Sequence, residues 1–293
     1  MRYHHALIVA AALLTTGSAV AADPPKDIGH LWQITRTGIP DSYVFGTIHV
    51  ADPRVAALPA PVRGALAKSR TLAVEMVPEW ADSGVAELEL LGPGESLAQM
   101  LRPDVYARLR TELAAQGQPA AVIDRLKPWA AMMKLGRKVT GAATGSNLDT
   151  QLLQAARDLR LKILPLEMIE EQISAFDSIP LASQVALLEH VLLHRDALAA
   201  TVEPTIVAWQ RGDFRALGPI AGVAYDPYPG MGEHRVQLMK NIIDNRTVLM
   251  HHRLASPLRE GRVFVAVGAM HLPGQRGLLA LLRAEGCVVT ALW

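Results

Sequence analysis

Two short segments of the chain place a histidine at the same distance after a glycine. Gly46-Thr47-Ile48-His49 follows the β-forming residues Val44 and Phe45, and Gly268-Ala269-Met270-His271 follows the apolar run 263–267. A glycine at the end of a strand permits a tight turn or a close approach of the backbone to another group. Each histidine is therefore predicted to lie just past the carboxyl end of a strand, the edge where open α/β sheets bind ligands.

Two carboxylates also follow apolar strands: Glu75 comes after residues 72–74, and Glu167 comes after residues 163–166. If the four strands are parallel neighbours, two imidazoles and two carboxylates meet at one edge of the sheet. Such a set suits a divalent ion such as zinc, manganese or cobalt, which lowers the pKa of a water molecule and polarises a carbonyl. Residue types alone also leave open a metal-free pair of histidine and glutamate acting as acid and base.

The elements that must position these residues can be read from the apolar runs. Strands are predicted at 31–35, 43–45, 71–75, 162–166, 262–267 and 287–292, with helices at 61–68, 149–160 and 277–284. Continuous apolar strands preceded by helices indicate a buried, mainly parallel sheet. The prediction is an α/β fold with a mainly parallel or mixed central sheet. It forms a single domain over residues 23–293, with helical insertions at about 92–145 and 175–255.

Composition excludes some classes of protein. Half of the 293 residues are hydrophobic and 19% are charged, so the chain can bury a sizeable core and is not a disordered protein. The net charge is +1 and no basic stripe is apparent, which argues against a nucleic-acid partner. Cys287 is the one cysteine, so it cannot form an intramolecular disulfide, and its apolar neighbours predict a buried, inert thiol.

The first 22 residues have the layout of a secretory signal peptide. Arg2 precedes the apolar run 6–14, and Ala19-Val20-Ala21-Ala22 ends the segment with an Ala-x-Ala pattern. The run is well short of the ~20 residues that a membrane span requires, and no later segment is long and apolar enough to span a bilayer. We therefore expect export across the inner membrane and a periplasmic location, with no transmembrane segment in the mature chain.

Other candidate residues are weaker. His190 and His194 are four residues apart on a predicted helix, so one ion could bind both, but they are read as a solvated helix face. Arg246 could lie near an anionic intermediate, yet by residue type alone a surface arginine is the better interpretation.

The paired motifs, with Leu272-Pro273-Gly274 after the second, resemble those of the TraB/PrgY/GumN family. That family is in turn similar to the Tiki metalloproteases, which share both Gly-x-x-His motifs. The similarity spans almost the whole mature chain. Further matching landmarks are Leu31-Trp32, Val74-Glu75, Leu148-Asp149, Leu166-Glu167, Glu171-Gln172, Trp209, Gly212-Asp213, Asn245-Arg246, Gly277-Leu278-Leu279 and Gly286.

The resemblance implies an α/β core related to those of the erythromycin-esterase and ChaN proteins, and a divalent metal ion at the site. His49, Glu75 and His271 are the implied metal ligands. Glu75, Glu167 and Arg246 are the implied catalytic residues, with a glutamate as general base and Arg246 stabilising negative charge. The resulting hypothesis is an exported metal-dependent hydrolase, a metallopeptidase with a peptide or protein substrate. The sequence does not specify the oligomeric state.

Two alternatives remain at the level of sequence. The first is a non-enzymatic periplasmic protein that captures a peptide, a haem-like ligand or a metal in the same cleft. The second is a metal-free, esterase-like hydrolase on a related scaffold. Tight capture without turnover would favour the first, and activity that is insensitive to a chelator would favour the second.

Overall fold

The computed structural model describes residues 27–50, 52–77, 85–140 and 148–293. The predicted signal peptide at residues 1–22 lies outside the described residues, as do positions 141–145 of the first predicted insertion. None of the described helices is both long enough and apolar enough to cross a membrane.

A six-stranded mixed sheet forms the centre of the fold, in the order β4-β3-β5-β2-β1-β6. The strands are β1 (Leu31–Arg36), β2 (Ile39–Thr47), β3 (Thr71–Val74), β4 (Lys162–Pro165), β5 (Val263–Gly268) and β6 (Val288–Ala291). The neighbours β4, β3, β5 and β2 are parallel, whereas β1 is antiparallel to both β2 and β6. The α/β class and the mixed sheet predicted from the sequence are confirmed.

Helices occupy most of the remaining described chain. They are α1 (Pro53–Ala56), α2 (Ala60–Ala67), α3 (Val85–Leu88), α4 (Leu97–Met100), α5 (Pro103–Ala114), α6 (Ala120–Arg125), α7 (Pro128–Thr140), α8 (Leu148–Asp158), α9 (Ile169–Asp177), α10 (Leu181–Leu193), α11 (Arg195–Ala199), α12 (Val202–Gln210), α13 (Leu217–Val223), α14 (Met231–Met239), α15 (Arg246–Glu260) and α16 (Leu278–Ala284). Short 3₁₀ turns cover Phe214–Ala216 and Ala269–His271, and a π-helical segment covers Lys240–Asn245.

Two separate clusters of buried side chains stabilise the fold. The sheet core contains the strands and the helices against them, with Trp32, Phe45 and Phe264 almost fully buried. The helical core is built from residues of α4–α7, α9, α10 and α14, including Leu109 and Leu188. Apolar burial of this kind is the main stabilising contribution to folding, so the sheet core holds the strand ends rigidly.

Register within the sheet sets the relative height of the two Gly-x-x-His segments. In the parallel pair β2–β5, Gly46 is opposite Val267 and Thr47 is opposite Gly268. The two glycines are therefore offset by one residue, so side chains at equivalent motif positions do not face each other directly.

Candidate active site

The carboxyl ends of four adjacent parallel strands meet at one edge of the sheet. His49 follows β2, Glu75 follows β3 directly, and Glu167 lies two residues after β4. His271 closes the 3₁₀ turn that continues from β5. The Glu167 N–H donates to the Glu75 carbonyl at 2.8 Å, so the backbone pairing of β3 and β4 continues to the two glutamates. All four of these predicted site residues therefore come from the same sheet edge.

Gly268 marks the point on which three of these side chains converge. A Cβ atom built on this glycine would lie 3.1 Å from Glu75 Oε1, 3.6 Å from His271 Cδ2 and 3.8 Å from His49 Nε2. Its φ of −52° is accessible to any residue, so glycine is needed here for space, not for a special turn. The three predicted metal ligands therefore surround one small volume above the end of β5.

His49 is the exposed member of the set, with 54% of its side chain accessible. Its Nδ1 lies 3.0 Å from Asp149 Oδ2, at the start of α8. Partial burial by itself would lower the pKa of His49, but hydrogen bonding and charge from Asp149, together with Glu75, raise it to about 9. The Asp149 contact also directs Nε2 towards Gly268. At this pKa the imidazole is protonated at neutral pH, so a metal ion bound here would have to displace the Nε2 proton.

His271 is buried, with 3% of its side chain accessible. Its Nδ1 is 2.7 Å from Thr247 Oγ1, and its Nε2 is 3.8 Å from Glu75 Oε1. Burial lowers the pKa of His271 to about 4, although the charge of Glu75 opposes the shift. At neutral pH the imidazole is therefore uncharged, the form in which histidine binds metals.

Glu75 is held on both oxygens. The Gly268 N–H donates to Oε1 at 2.6 Å, and Arg246 Nη2 donates to Oε2 at 2.7 Å. Burial alone would raise the pKa of this carboxyl, but charge interactions with His271, Arg246 and His49 and the Gly268 N–H together lower it to about 2. The carboxylate is therefore ionised throughout the physiological range and is presented to the two histidines.

Arg246 forms a clamp across the two glutamates. Its Nε donates to both Glu167 oxygens at 3.0 and 3.1 Å, and its Nη2 donates to Glu167 Oε2 and to Glu75 Oε2, each at 2.7 Å. The Glu167 side chain is fully inaccessible, and burial raises its pKa despite Arg246. With two carboxylates already on the guanidinium, Arg246 is arranged to orient Glu75 and Glu167. The geometry favours this over the predicted stabilisation of negative charge by Arg246 or proton abstraction by Glu167.

Three features of the site were missed by sequence reasoning. Asp149 is a helix start and a family landmark in the sequence, but an acidic residue also has an ordinary role at the positive end of the helix dipole, and no site role is predicted for it. The spacing of residues in the sequence does not indicate that Thr247 belongs to the site, although it directly follows Arg246. The π-helical segment Lys240–Asn245 cannot be read from an apolar period of 3.6, yet such bulges are frequent at functional sites.

The donor set fits a divalent ion in chemistry, because two imidazole nitrogens and one carboxylate oxygen are the ligands of many catalytic metal sites. Among the described residues, however, no three histidine, cysteine, aspartate or glutamate side chains already have the spacing of a metal centre. Glu75 is instead engaged by Arg246 and Gly268. Metal ligation by His49, Glu75 and His271 thus stays a prediction, supported by donor type and convergence.

The histidine pair on α10 is not part of this site, and its prediction as a solvated face is wrong for His190. That side chain is 4% exposed, its Nε2 lies 2.7 Å from the Ala224 carbonyl oxygen, and it stacks on Tyr225. Helix α10 packs on α7 and α14, so a surface predicted to be solvated is covered.

The fold and the strand-end cluster together define an α/β protein with a paired histidine–glutamate site. The chain belongs to the TraB/PrgY/gumN family, whose model matches residues 30–291. It is 25% identical to metalloprotease TIKI1 of Danio rerio over 318 residues, which is 90% of this chain and 63% of that protein. Metalloprotease TIKI2 of Xenopus tropicalis is also 25% identical over 308 residues, with 87% and 58% covered.

A bacterial relative is matched over most of its own length as well as over most of this chain. The uncharacterized protein YbaP of Shigella flexneri is 25% identical over 264 residues, which is 85% of this chain and 90% of that protein. By contrast, this chain spans about three fifths of the length of the two Tiki metalloproteases. No solved structure is significantly similar to the chain.

Proposed function

We propose that this protein is a metal-dependent hydrolase whose divalent ion is held by His49, Glu75 and His271. The observation that carries the proposal is the convergence of Glu75 Oε1, His49 Nε2 and the His271 ring around Gly268. Each imidazole also has a partner on Nδ1, as metal-binding histidines usually do. When bound, a zinc, manganese or cobalt ion would polarise a carbonyl and acidify a water molecule at neutral pH.

The residues around the ion then have separable roles. His49 and His271 are nitrogen donors from the ends of the adjacent strands β2 and β5, and Glu75 is the oxygen donor from the end of β3. Arg246 and Glu167 act as a buried ion pair that holds Glu75 in place, because Arg246 contacts both carboxylates. Removing Arg246 would leave two buried carboxylates uncompensated, which is strongly destabilising, so its substitution is a poor test of catalysis.

We further propose that the substrate is a peptide. The support is the similarity to proteins named metalloproteases and the presence of two cavities beside the π-helical segment. One, of about 280 Å³, includes the polar side chains of Asn241 and Arg246 in its lining. The other, of about 260 Å³, is lined in part by Phe214, Ile243 and Met270. An extended chain could place a polar side chain in one cavity and an apolar side chain in the other.

The test combines metal analysis with turnover of an unstructured peptide library. Purified protein should bind about one equivalent of Zn²⁺, Mn²⁺ or Co²⁺, and chelation should abolish cleavage, with recovery on adding metal back. His49→Ala and His271→Ala should each lose metal binding and turnover while remaining folded. The exposed His252, in the middle of α15, offers a matched control, and His252→Ala should keep both. A folded His271→Ala protein with full metal binding and activity would overturn the proposal.

A metal-free hydrolase remains a second candidate because one observation favours it. His49 is exposed, paired with Asp149 and protonated at neutral pH, which is the arrangement of a histidine general acid oriented by a carboxylate. Under this alternative, cleavage would persist in chelator and would be lost in His49→Ala, whereas His271→Ala would be affected less. Tight Zn²⁺ binding with no turnover of any substrate would instead favour a metal-binding protein.

The predicted signal peptide and periplasmic location also stay proposals. Mass spectrometry of protein isolated from the periplasm should find a chain that begins near Ala22 or Asp23. Recovery of the full-length chain from the cytoplasm alone would contradict export.

A further inference from the structure

Thr247 is buried between His271 and the π-helical segment. It lies in the first turn of α15 and is 1% exposed. Its Oγ1 is 2.7 Å from His271 Nδ1 and 2.7 Å from the Ile243 carbonyl oxygen. One hydroxyl therefore joins a histidine of the candidate site to the backbone of the neighbouring segment.

The direction of these two hydrogen bonds follows from counting protons. A carbonyl oxygen can only accept, so the Thr247 hydroxyl donates its one proton to Ile243. The Thr247 oxygen can then only accept from His271, which places the imidazole proton on Nδ1. In the opposite tautomer one of the two bonds is lost, and a buried polar group without a partner costs about 1–3 kcal/mol.

Glu75 does not reverse this preference. A proton on His271 Nε2 would point towards Glu75 Oε1, but these atoms are 3.8 Å apart, beyond hydrogen-bond length. Glu75 Oε1 already accepts from the Gly268 N–H at 2.6 Å. Local geometry therefore favours a proton on Nδ1 and a lone pair on Nε2.

We propose that Thr247 is a positioning residue that fixes His271 in the Nδ1–H tautomer, so that the Nε2 lone pair faces Glu75 and the space above Gly268. The assignment deepens the proposed function, because Nε2 is then the nitrogen offered to a metal ion. The tautomer of His271 is a structural claim, and it does not depend on that function.

Two adjacent residues at the start of α15 reach both sides of the site. Arg246 Nη1 donates to the Ile242 carbonyl at 3.0 Å, and Thr247 Oγ1 donates to the next carbonyl, of Ile243. The two side chains thus bond to consecutive carbonyls four residues before them. Arg246 then holds Glu75 and Thr247 holds His271. Adjacent residues of α15 therefore position a carboxylate and an imidazole together.

The tautomer can be read directly from ring ¹⁵N shifts in metal-free protein labelled on histidine. Wild type should show a protonated Nδ1 and an unprotonated Nε2 for His271. The nearly isosteric Thr247→Val should shift His271 towards the Nε2–H form, and Thr247→Ser should restore the wild-type pattern. His271 resonances are assigned by their loss in His271→Ala, and thermal melts confirm that each variant is folded.

Zinc titration supplies the second readout. Loss of a hydrogen-bond partner behind a ligating histidine typically costs about 10–100-fold in affinity, so Thr247→Val should bind Zn²⁺ more weakly by that factor, and Thr247→Ser by less. A wild-type His271 protonated on Nε2, or a Thr247→Val spectrum unchanged from wild type, overturns the proposal whatever the protein binds. A tautomer shift in Thr247→Val, with no Zn²⁺, Mn²⁺ or Co²⁺ bound by wild type, supports the positioning role and contradicts the proposed metal-dependent function.

Discussion

Residues 46–49 and residues 268–271 have the same Gly-x-x-His spacing at the ends of neighbouring parallel strands, but their surroundings differ. His49 is more than half exposed and is paired with the carboxylate of Asp149. His271 is buried and is paired with the hydroxyl of Thr247. The first histidine is stabilised in its charged form and the second in its neutral form, as their pKa values of about 9 and about 4 reflect.

The two glycines differ as well. A Cβ on Gly46 would lie 2.4 Å from Phe214 Cε2 and 3.0 Å from Leu272 Cδ1, within the sheet core. A Cβ on Gly268 would instead enter the space shared by Glu75 and the two histidines. Neither glycine has a positive φ, so both are needed for close approach and not for a left-handed backbone conformation. The glycine of the first motif thus leaves room for packing in the sheet core, whereas the glycine of the second motif leaves room for the site.

Among variants that distinguish the two Gly-x-x-His motifs, Gly268→Ala is expected to have the largest effect on zinc affinity. The added methyl group would occupy the volume between Glu75 Oε1 and His49 Nε2, so zinc affinity should fall on the order of 100-fold. The backbone at Gly268 is compatible with alanine, so the free energy of unfolding should change by less than about 1 kcal/mol. Zinc titration and urea unfolding measure the two quantities. Gly64→Ala, on α2 with open space at the Cβ position, is the matched control and should leave zinc affinity unchanged.

Gly46→Ala should give the opposite pattern. The methyl group would clash with the buried ring of Phe214, and overpacking of this kind typically costs about 1–3 kcal/mol. The Gly46 backbone cannot easily move away, because its carbonyl accepts from Trp209 Nε1 at 3.0 Å and its N–H donates to the His30 carbonyl at 3.0 Å. Urea unfolding should show the loss, while zinc affinity per folded molecule stays near wild type. Equal effects of the two glycine variants on zinc affinity would remove the distinction between the copies.

The partner of His49 should matter less than the partner of His271. Asp149→Asn keeps an acceptor for His49 but removes its charge, so zinc affinity should fall by about tenfold. Because His49 is exposed, this loss should shrink as salt screens the ion pair, whereas the effect of Thr247→Val should not depend on salt. Zinc titrations at low and high ionic strength make the comparison. Asp158→Asn, also on α8 and exposed, should have no effect at either salt concentration.

The sequence predicted the parts of the site that depend on short-range pattern. The apolar run Val263–Val267 specifies a buried strand by itself, and the residue after such a strand must lie at the sheet edge. Glu75 and His271 are therefore placed by local sequence once β3 and β5 are recognised as parallel. The parallel direction of the strands follows from helix-strand units with buried strands, but the order β4, β3, β5 and β2 was not predicted.

The supporting residues could not be predicted because they depend on which helices pack against the edge. Asp149 reaches His49 only because α8 begins beside the end of β2. Thr247 reaches His271 only because α15 begins beside the 3₁₀ turn that follows β5. His190 was misread for a related reason. Spacing along α10 shows which residues share a face but not that Ala224, Tyr225 and Tyr228 will cover it.

His190 is a buried histidine whose hydrogen-bond partner is a carbonyl and not a carboxylate, so its titration can be compared with that of His271. Its pKa is lowered by burial, with a further contribution from the neighbouring His194. The folded protein therefore keeps His190 neutral, while the unfolded chain takes up a proton below pH ~6.5, so its contribution to stability falls as pH drops below that value. His190→Gln can still donate to the Ala224 carbonyl and does not titrate. The variant should lose less unfolding free energy than wild type between pH 7.5 and pH 5.5 in urea titrations. Equal losses would mean that acid sensitivity arises elsewhere, with the buried His271 as the first candidate.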